Sequence, residues 1–302
     1  MNRLLPVLAA AVLLPPPPAA AGPAFDGKAA FAHVERLVGL GPRPAGSEPL
    51  ARARRYIVDE LKKAGARVRE QAFTAGTPDG PVRMVNVIAE LPGRRPEVIL
   101  VGGHYDTKFF PHFTFVGAND GGSSSGFLLE LARVLGPRPR EFTYWIVFFD
   151  GEEARREWSA TDGIYGSRHL VASLERDGRV RRLRAVVVVD MIGDRKLNIR
   201  RDPTSTPWLT DLLWGSARRL GHRAHFLDEP LAVEDDHVPF LKAGIPSALI
   251  IDFDYDPYWH TPQDTLDKLS PRSLQIVGEI LLDAFPALEI LLLRGDPRDR
   301  PR

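Results

Sequence analysis

An α/β protein, built as a three-layer αβα sandwich around a central mixed, mostly parallel sheet, is predicted by three features of the 302-residue chain. Several short β-rich runs are apolar throughout, among them Val98-Ile99-Leu100-Val101, Tyr144-Trp145-Ile146-Val147-Phe148-Phe149 and Val186-Val187-Val188-Val189. Strands without polar alternation are buried on both faces and need a covering layer on each side. Stretches with apolar residues three and four apart lie between these runs and supply the covering helices. The apolar runs also end abruptly in ionisable residues, as strands do where they deliver side chains to a crevice.

In chain order, helices are expected over residues 29–40 and 50–64, the second followed by Gly65 as a stop. Strands follow over 82–91 and 97–103. A helix over 124–135 leads to a strand over 142–150, a helix over 166–174 and a strand over 185–190. The remainder reads as helices over 207–220 and 236–243, a strand over 247–252 and a helix over 271–293. Gly221 ends the first of these helices, while Ser270-Pro271 supplies an N-cap and first-turn proline for the last. No internal repeat or long linker divides residues 22–293, so a single domain is expected.

The ends of the chain read differently. Residues 1–21 have a short basic start with Arg3, an apolar run, Pro15 to Pro18, and Ala19-Ala20-Ala21 as an A-x-A cleavage site. That is the pattern of a secretory signal, predicting an exported protein, periplasmic or secreted; the prolines also leave an uncleaved anchor with a stalk open. No cysteine follows the apolar run, which excludes lipoprotein attachment. Residues 294–302 are charged and proline-bearing and read as a disordered tail.

Composition excludes several classes. Forty Lys and Arg against thirty-nine Asp and Glu give a net charge of +1, leaving no excess positive charge to follow a nucleic-acid backbone. No stable membrane partner is expected, and a monomer is. The chain has no cysteine, so disulfides, thiolate nucleophiles and iron–sulfur clusters are out, and any metal must be held by His, Asp or Glu.

The polar residues at the strand ends are His104 and Asp106, then Asp150, Glu152 and Glu153, then Asp190. Carboxylates crowded into one crevice repel one another unless a cation compensates, which points to a divalent metal. One histidine with several carboxylates suits zinc, with manganese or cobalt as substitutes. Asp120, presented by the turn Gly117-Ala118-Asn119-Asp120-Gly121-Gly122, together with Glu153 and His260, is the expected ligand set. Glu152 cannot point the same way as Glu153 and is placed as the base. Three protein ligands and an open position mark a catalytic rather than a structural site. Taken singly, each residue has a plainer role: Asp120 as a helix cap, Glu152-Glu153 as a solvated helix start, His260 as a surface residue. Independent caps and surface charges have no reason to occupy the ends of successive buried strands. Ser123-Ser124-Ser125 lacks the lysine of a phosphate loop and reads as a helix start. His112, His222, His225 and His237 read as structural or exposed.

These motifs, from His104-Tyr105-Asp106 through Phe149-Asp150-Gly151-Glu152-Glu153 to Trp259-His260-Thr261, resemble the zinc aminopeptidase-like superfamily. Within it, Glu152-Glu153-Ala154 with Trp158 behind, Tyr165-Gly166-Ser167-Arg168-His169-Leu170 and Asp235-Asp236-His237-Val238-Pro239-Phe240 resemble the animal-type glutaminyl cyclases. The resemblance implies one zinc on Asp120, Glu153 and His260 and a proton shuttle at Glu152. It implies an acidic hydrogen-bond network of Asp190 and Asp235, and a substrate pocket lined by Trp158, Trp259, Tyr255 and Val233. The substrates implied are peptides or proteins with N-terminal glutamine, cyclised to pyroglutamate with release of ammonia. The chain departs from the animal enzymes in lacking their disulfide, in a shorter segment between Asp190 and Val233, and in Tyr255, where a Phe is usual. Two other readings stay open. One is a two-zinc aminopeptidase with His104 and Asp190 at a second site and Asp120 bridging. The other is a non-catalytic exported binding domain.

Overall fold

The computed structural model describes residues 23–295. Its elements are α1 (Gly27–Val38), α2 (Glu48–Lys63), β1 (Arg67–Thr77), β2 (Gly80–Leu91), β3 (Arg95–His104), α3 (Gly122–Leu135), β4 (Phe142–Phe149) and α4 (Tyr165–Arg176). They continue with β5 (Leu183–Asp190), β6 (Ile199–Arg201), α5 (Pro207–Arg219), β7 (Phe226–Pro230), α6 (Val238–Lys242), β8 (Ser247–Ile251) and α7 (Pro271–Leu293). The expected signal segment and most of the expected tail lie outside the described residues. Among the described residues, no helix is long and apolar enough to cross a membrane.

Six strands form the main sheet in the order β1-β2-β4-β3-β5-β8. The β4/β3, β3/β5 and β5/β8 pairs are parallel, and β1/β2 and β2/β4 are antiparallel. The sheet is thus mixed and mostly parallel, as expected. Its continuous apolar runs divide residue by residue between two cores. Ile99, Val101, Ile146, Phe148, Val187 and Val189 pack beneath α1, α2, α3, α5 and α7. Val98, Leu100, Trp145, Val147, Phe149, Val186 and Val188 face α4 and α6. Successive strand side chains point to opposite faces, so an unbroken apolar run fills both layers at once.

The register brings the carboxyl ends of the central strands level: His104 pairs with Phe149, and Asp190 with Ile251. Whatever follows these residues lands at one edge of the sheet.

The sequence reading missed three strands. β1 is an edge strand in which only Ala75 is buried, and Arg67, Arg69, Glu70 and Gln71 interrupt any apolar pattern. Such charge protects an edge from pairing with another chain, and it hides the strand from hydrophobic periodicity. β6 and β7 form a separate two-stranded sheet of three and five residues, too short for alternation to register. The helix expected over 236–243 begins only at Val238, because Asp235 and Asp236 form the preceding loop, where the Asp235 carboxylate accepts the Asp236 N–H.

Candidate active site

The strand ends deliver the chemistry. His104 is the last residue of β3, and Asp106 follows two residues on. Glu152 and Glu153 leave β4 in a loop shaped by Asp106, whose two carboxylate oxygens accept the Glu152 and Glu153 N–H groups at 3.2 and 3.4 Å. This bracket aims the two side chains differently: Glu153 accepts from the Lys108 N–H at 3.1 Å, while Glu152 faces His104 at 4.0 Å. Asp190 ends β5. Asp120 comes from the turn ahead of α3. There Gly121 adopts φ +77°, and a Cβ would sit 2.4 Å from the Asp106 carbonyl oxygen, so only glycine fits. His260 lies between β8 and α7, in the left-handed region at φ +53°. A non-glycine residue held there costs about 1–3 kcal/mol, a strain the surrounding contacts must offset.

The structure brings Asp120, Glu153 and His260 together. His260 Nε2 is 3.2 Å from Asp120 Oδ2 and 3.4 Å from Glu153 Oε1, and the three donor atoms lie within 4.8 Å of one another. A second group shares Asp120 through its other oxygen: His104 Nε2 is 3.2 Å from Asp120 Oδ1 and 3.1 Å from Asp190 Oδ1. His104 and its surrounding carboxylates are all buried, and no hydrogen bond reaches His104 Nδ1.

The electrostatics ask for a cation. Burial pushes Glu153 up, helped by the Asp120 charge, despite the His260 hydrogen bond. Burial works against His260 protonation, yet Asp120 and Glu153 hold its pKa at about 10. Burial also drives Glu152 well above the usual carboxylate range. His104 pulls it down, while Glu153, Asp235 and Asp236 push it further up. Asp235 is pushed up to about 7 by burial and by Asp190. A divalent ion between Asp120, Glu153 and His260 would relieve this crowding, and an N/O donor set of two carboxylates and one imidazole fits zinc.

A cavity of about 550 Å³ opens above the cluster. Trp158, Val233, Trp259, Asp190 and Asp235 line it with Glu152 and the three ligand-type residues. The Trp158 indole donates to Glu234 Oε2 at 3.0 Å, which ties the two cavity walls together. Trp259 stacks on His260 with centroids 4.1 Å apart, and Phe110 and Phe115 meet the imidazole edge-on from elsewhere.

Tyr255 needs correction. It is 1% exposed, its hydroxyl donates to Asp264 Oδ1 at 2.8 Å, and it is not among the cavity-lining residues. The aromatic ring of this segment that faces the cavity is Phe253, packed 4.9 Å from Trp259. Asp190 and Asp235 also differ from expectation. Asp190 accepts the Met191 N–H at 2.8 Å and lies beside His104, while Asp235 accepts the Asp236 N–H, so their influence on each other is through charge. His237 is buried and faces Asp202 at 3.0 Å. The serine run begins α3, with Ser124 and Ser125 both donating to the His104 carbonyl.

Glu234 and the clamp at Asp106 escaped the sequence reading, whereas the run over residues 252–257 reads as a loop over the pocket without singling out Phe253 as its lining ring. Phe253 was concealed by Tyr255 two residues on, since an aromatic pair in a loop gives no periodicity to decide which ring faces inward.

A mostly parallel sheet whose strand ends gather two carboxylates and an imidazole under an aromatic cavity defines an α/β enzyme of the aminopeptidase-like class. The model of peptidase family M28 matches residues 86–285. A glutaminyl-peptide cyclotransferase-like protein of Mus musculus is 32% identical over 270 residues, covering 79% of this chain and 70% of its own. The crystal structure of an Acidobacteriales bacterium glutaminyl cyclase superposes with a TM-score of 0.87 at 41% identity, covering 94% of this chain and 100% of that one. The Porphyromonas gingivalis glutaminyl cyclase does so with a TM-score of 0.81 at 30% identity, covering 87% and 99%. The chain belongs to peptidase family M28 and, within it, to the glutaminyl-peptide cyclotransferases.

Proposed function

We propose that this enzyme cyclises the N-terminal glutamine of peptides to pyroglutamate and releases ammonia. The observation that carries the reading is the position of Glu152, buried beside the Asp120, Glu153 and His260 cluster at the floor of an aromatic cavity. The α-nitrogen of the substrate attacks its own γ-carboxamide carbon, the new C–N bond closes a five-membered ring, and the old C–N bond breaks. Both reactants arrive on one molecule, so holding the side chain folded can contribute about 7–11 kcal/mol. Glu152 takes the proton from the attacking amine and returns it to the departing ammonia, a task suited to a carboxyl that burial raises above its usual range. Asp190 and Asp235, which line the same cavity, accept hydrogen bonds from the substrate nitrogens. Trp158, Trp259, Val233 and Phe253 enclose the folded side chain and keep water from the carboxamide carbon. Asp120, Glu153 and His260 would hold one zinc ion per chain, which when bound would offer a Lewis acid to the carboxamide oxygen. We further place the enzyme outside the cytoplasm as a monomer, the location resting on residues 1–21.

One assay tests the reading. Purified protein is given a glutaminyl peptide and an aminoacyl chromogenic substrate while its metal content is measured. Ring closure with ammonia and one zinc per chain is expected; neither reaction would leave only a binding role. Release of the first residue with two metals would instead support the aminopeptidase reading, which the shared use of Asp120 by His104 and Asp190 keeps in view.

Trp158 gives a narrower test. Trp158→Ala removes about 1–2 kcal/mol of ring contact, a five- to thirty-fold rise in KM. It also admits water, so product analysis should detect N-terminal glutamate from the variant and none from the unaltered enzyme.

A further inference from the structure

We propose that Asp264 is the positioning residue that fixes Asp120 relative to His260, by clamping the Asp120 turn to the segment that carries His260. Asp264 accepts from three consecutive amides of that turn. Its main-chain oxygen takes Ala118 N–H at 3.4 Å, its Oδ1 takes Asn119 N–H at 2.9 Å and its Oδ2 takes Asp120 N–H at 3.1 Å. The carboxylate is fully buried, and the Tyr255 hydroxyl donates to Oδ1 at 2.8 Å, which sets its rotation. The Asp264 N–H in turn donates to the Thr261 carbonyl at 3.2 Å, closing a tight turn directly after His260.

The placement has a reason. The amides of residues 118–120 lie ahead of the Gly121 N-cap, outside the hydrogen-bond ladder of α3, and are buried, so each needs an acceptor from elsewhere in the chain. A carboxylate meeting two adjacent N–H groups fixes the plane of the peptide between Asn119 and Asp120, and with it the direction of the Asp120 side chain. A neutral amide cannot replace it, because one of its two heads is itself a donor and would face an N–H. Tyr255, which does not reach the cavity, thereby gains a role behind it.

The proposal rests on the reading that Asp120 and His260 hold one ion, and the test separates the two. The metal-free full-length protein is reloaded, and its zinc dissociation constant is measured by competition with a chromophoric chelator. The thermal midpoint of the metal-free form is recorded in parallel. Asp264→Asn is expected to weaken zinc about 10- to 100-fold, the range for removing a partner that orients a ligand. Tyr255→Phe keeps the buried ring and is expected to weaken zinc about two- to tenfold.

The control is Asp252→Asn. Asp252 is an equally buried carboxylate that accepts the Asn198 and Asp254 N–H groups and touches neither ligand turn, so its substitution should leave zinc affinity unchanged. Unchanged affinity in Asp264→Asn, or an equal loss in Asp252→Asn, overturns the proposal. A fall in thermal midpoint without loss of affinity does the same, since it marks a merely structural residue. If Asp264→Asn does not fold, Tyr255→Phe decides, and wild-type affinity there overturns the proposal. Wild-type affinity in Asp120→Ala would instead sink the ligand reading itself.

Discussion

Glu152→Gln is expected to leave zinc content unchanged and to cut kcat by about 10²- to 10⁴-fold, the usual contribution of a positioned general acid–base. The substitution keeps the size of the side chain and its place beside Asp106 but removes its capacity to carry a proton from amine to ammonia. The loss should fall on kcat rather than KM, because the cavity walls that hold the substrate are untouched. On the proposed mechanism, the raised affinity of the buried Glu152 carboxyl for a proton, caused by burial and then by Glu153, Asp235 and Asp236 against the pull of His104, suits it to take the proton of the amine and hold it until ammonia leaves. Zinc analysis distinguishes the roles of the two neighbouring glutamates. If Glu152→Gln loses the metal and Glu153→Gln retains it with little turnover, the assignments are reversed.

His260→Ala is the second large effect. It removes the only nitrogen donor of the group formed with Asp120 and Glu153, leaving two buried carboxylates 3.2 and 3.4 Å from where the imidazole stood. Metal content should fall to near background at micromolar zinc, and turnover with it. Stability should respond in both directions. The variant should lose the zinc-dependent part of the wild-type thermal midpoint, which by mass action is about 4 kcal/mol at a thousandfold excess over the dissociation constant. It should also relax the left-handed backbone at residue 260, which alanine tolerates no better than histidine and escapes by moving the loop. A chain that keeps stoichiometric zinc and full activity after this change would remove the ligand set from the account of catalysis.

The central layers were legible because their physics is local. The runs at 98–101, 144–149 and 186–189 carry both faces of the sheet in a single apolar string, and the switch to Asp, Glu and His at their ends marks where the sheet stops and the crevice begins. The turn around Asp120 was equally readable, since its glycines point to left-handed backbone, seen at Gly117 and Gly121, that other residues adopt only at a cost. What could not be read depends on partners distant in the chain. β1 is held by pairing with β2 rather than by its own pattern. The choice between Phe253 and Tyr255 is made by Asp264, which occupies the space a tyrosine hydroxyl can reach. The link from Glu234 to Trp158 joins loops 76 residues apart.

His260 follows β8, which is the last strand to be synthesised and is hydrogen-bonded within the main sheet only to β5. A growing polypeptide therefore presents Asp120 and Glu153 long before their nitrogen-bearing companion exists, and a product that ends before residue 260 lacks one of the three. Under the proposed ligand set, a nascent chain that has not yet reached residue 260 is inert, and an amine-terminated neighbour is safe from it until then.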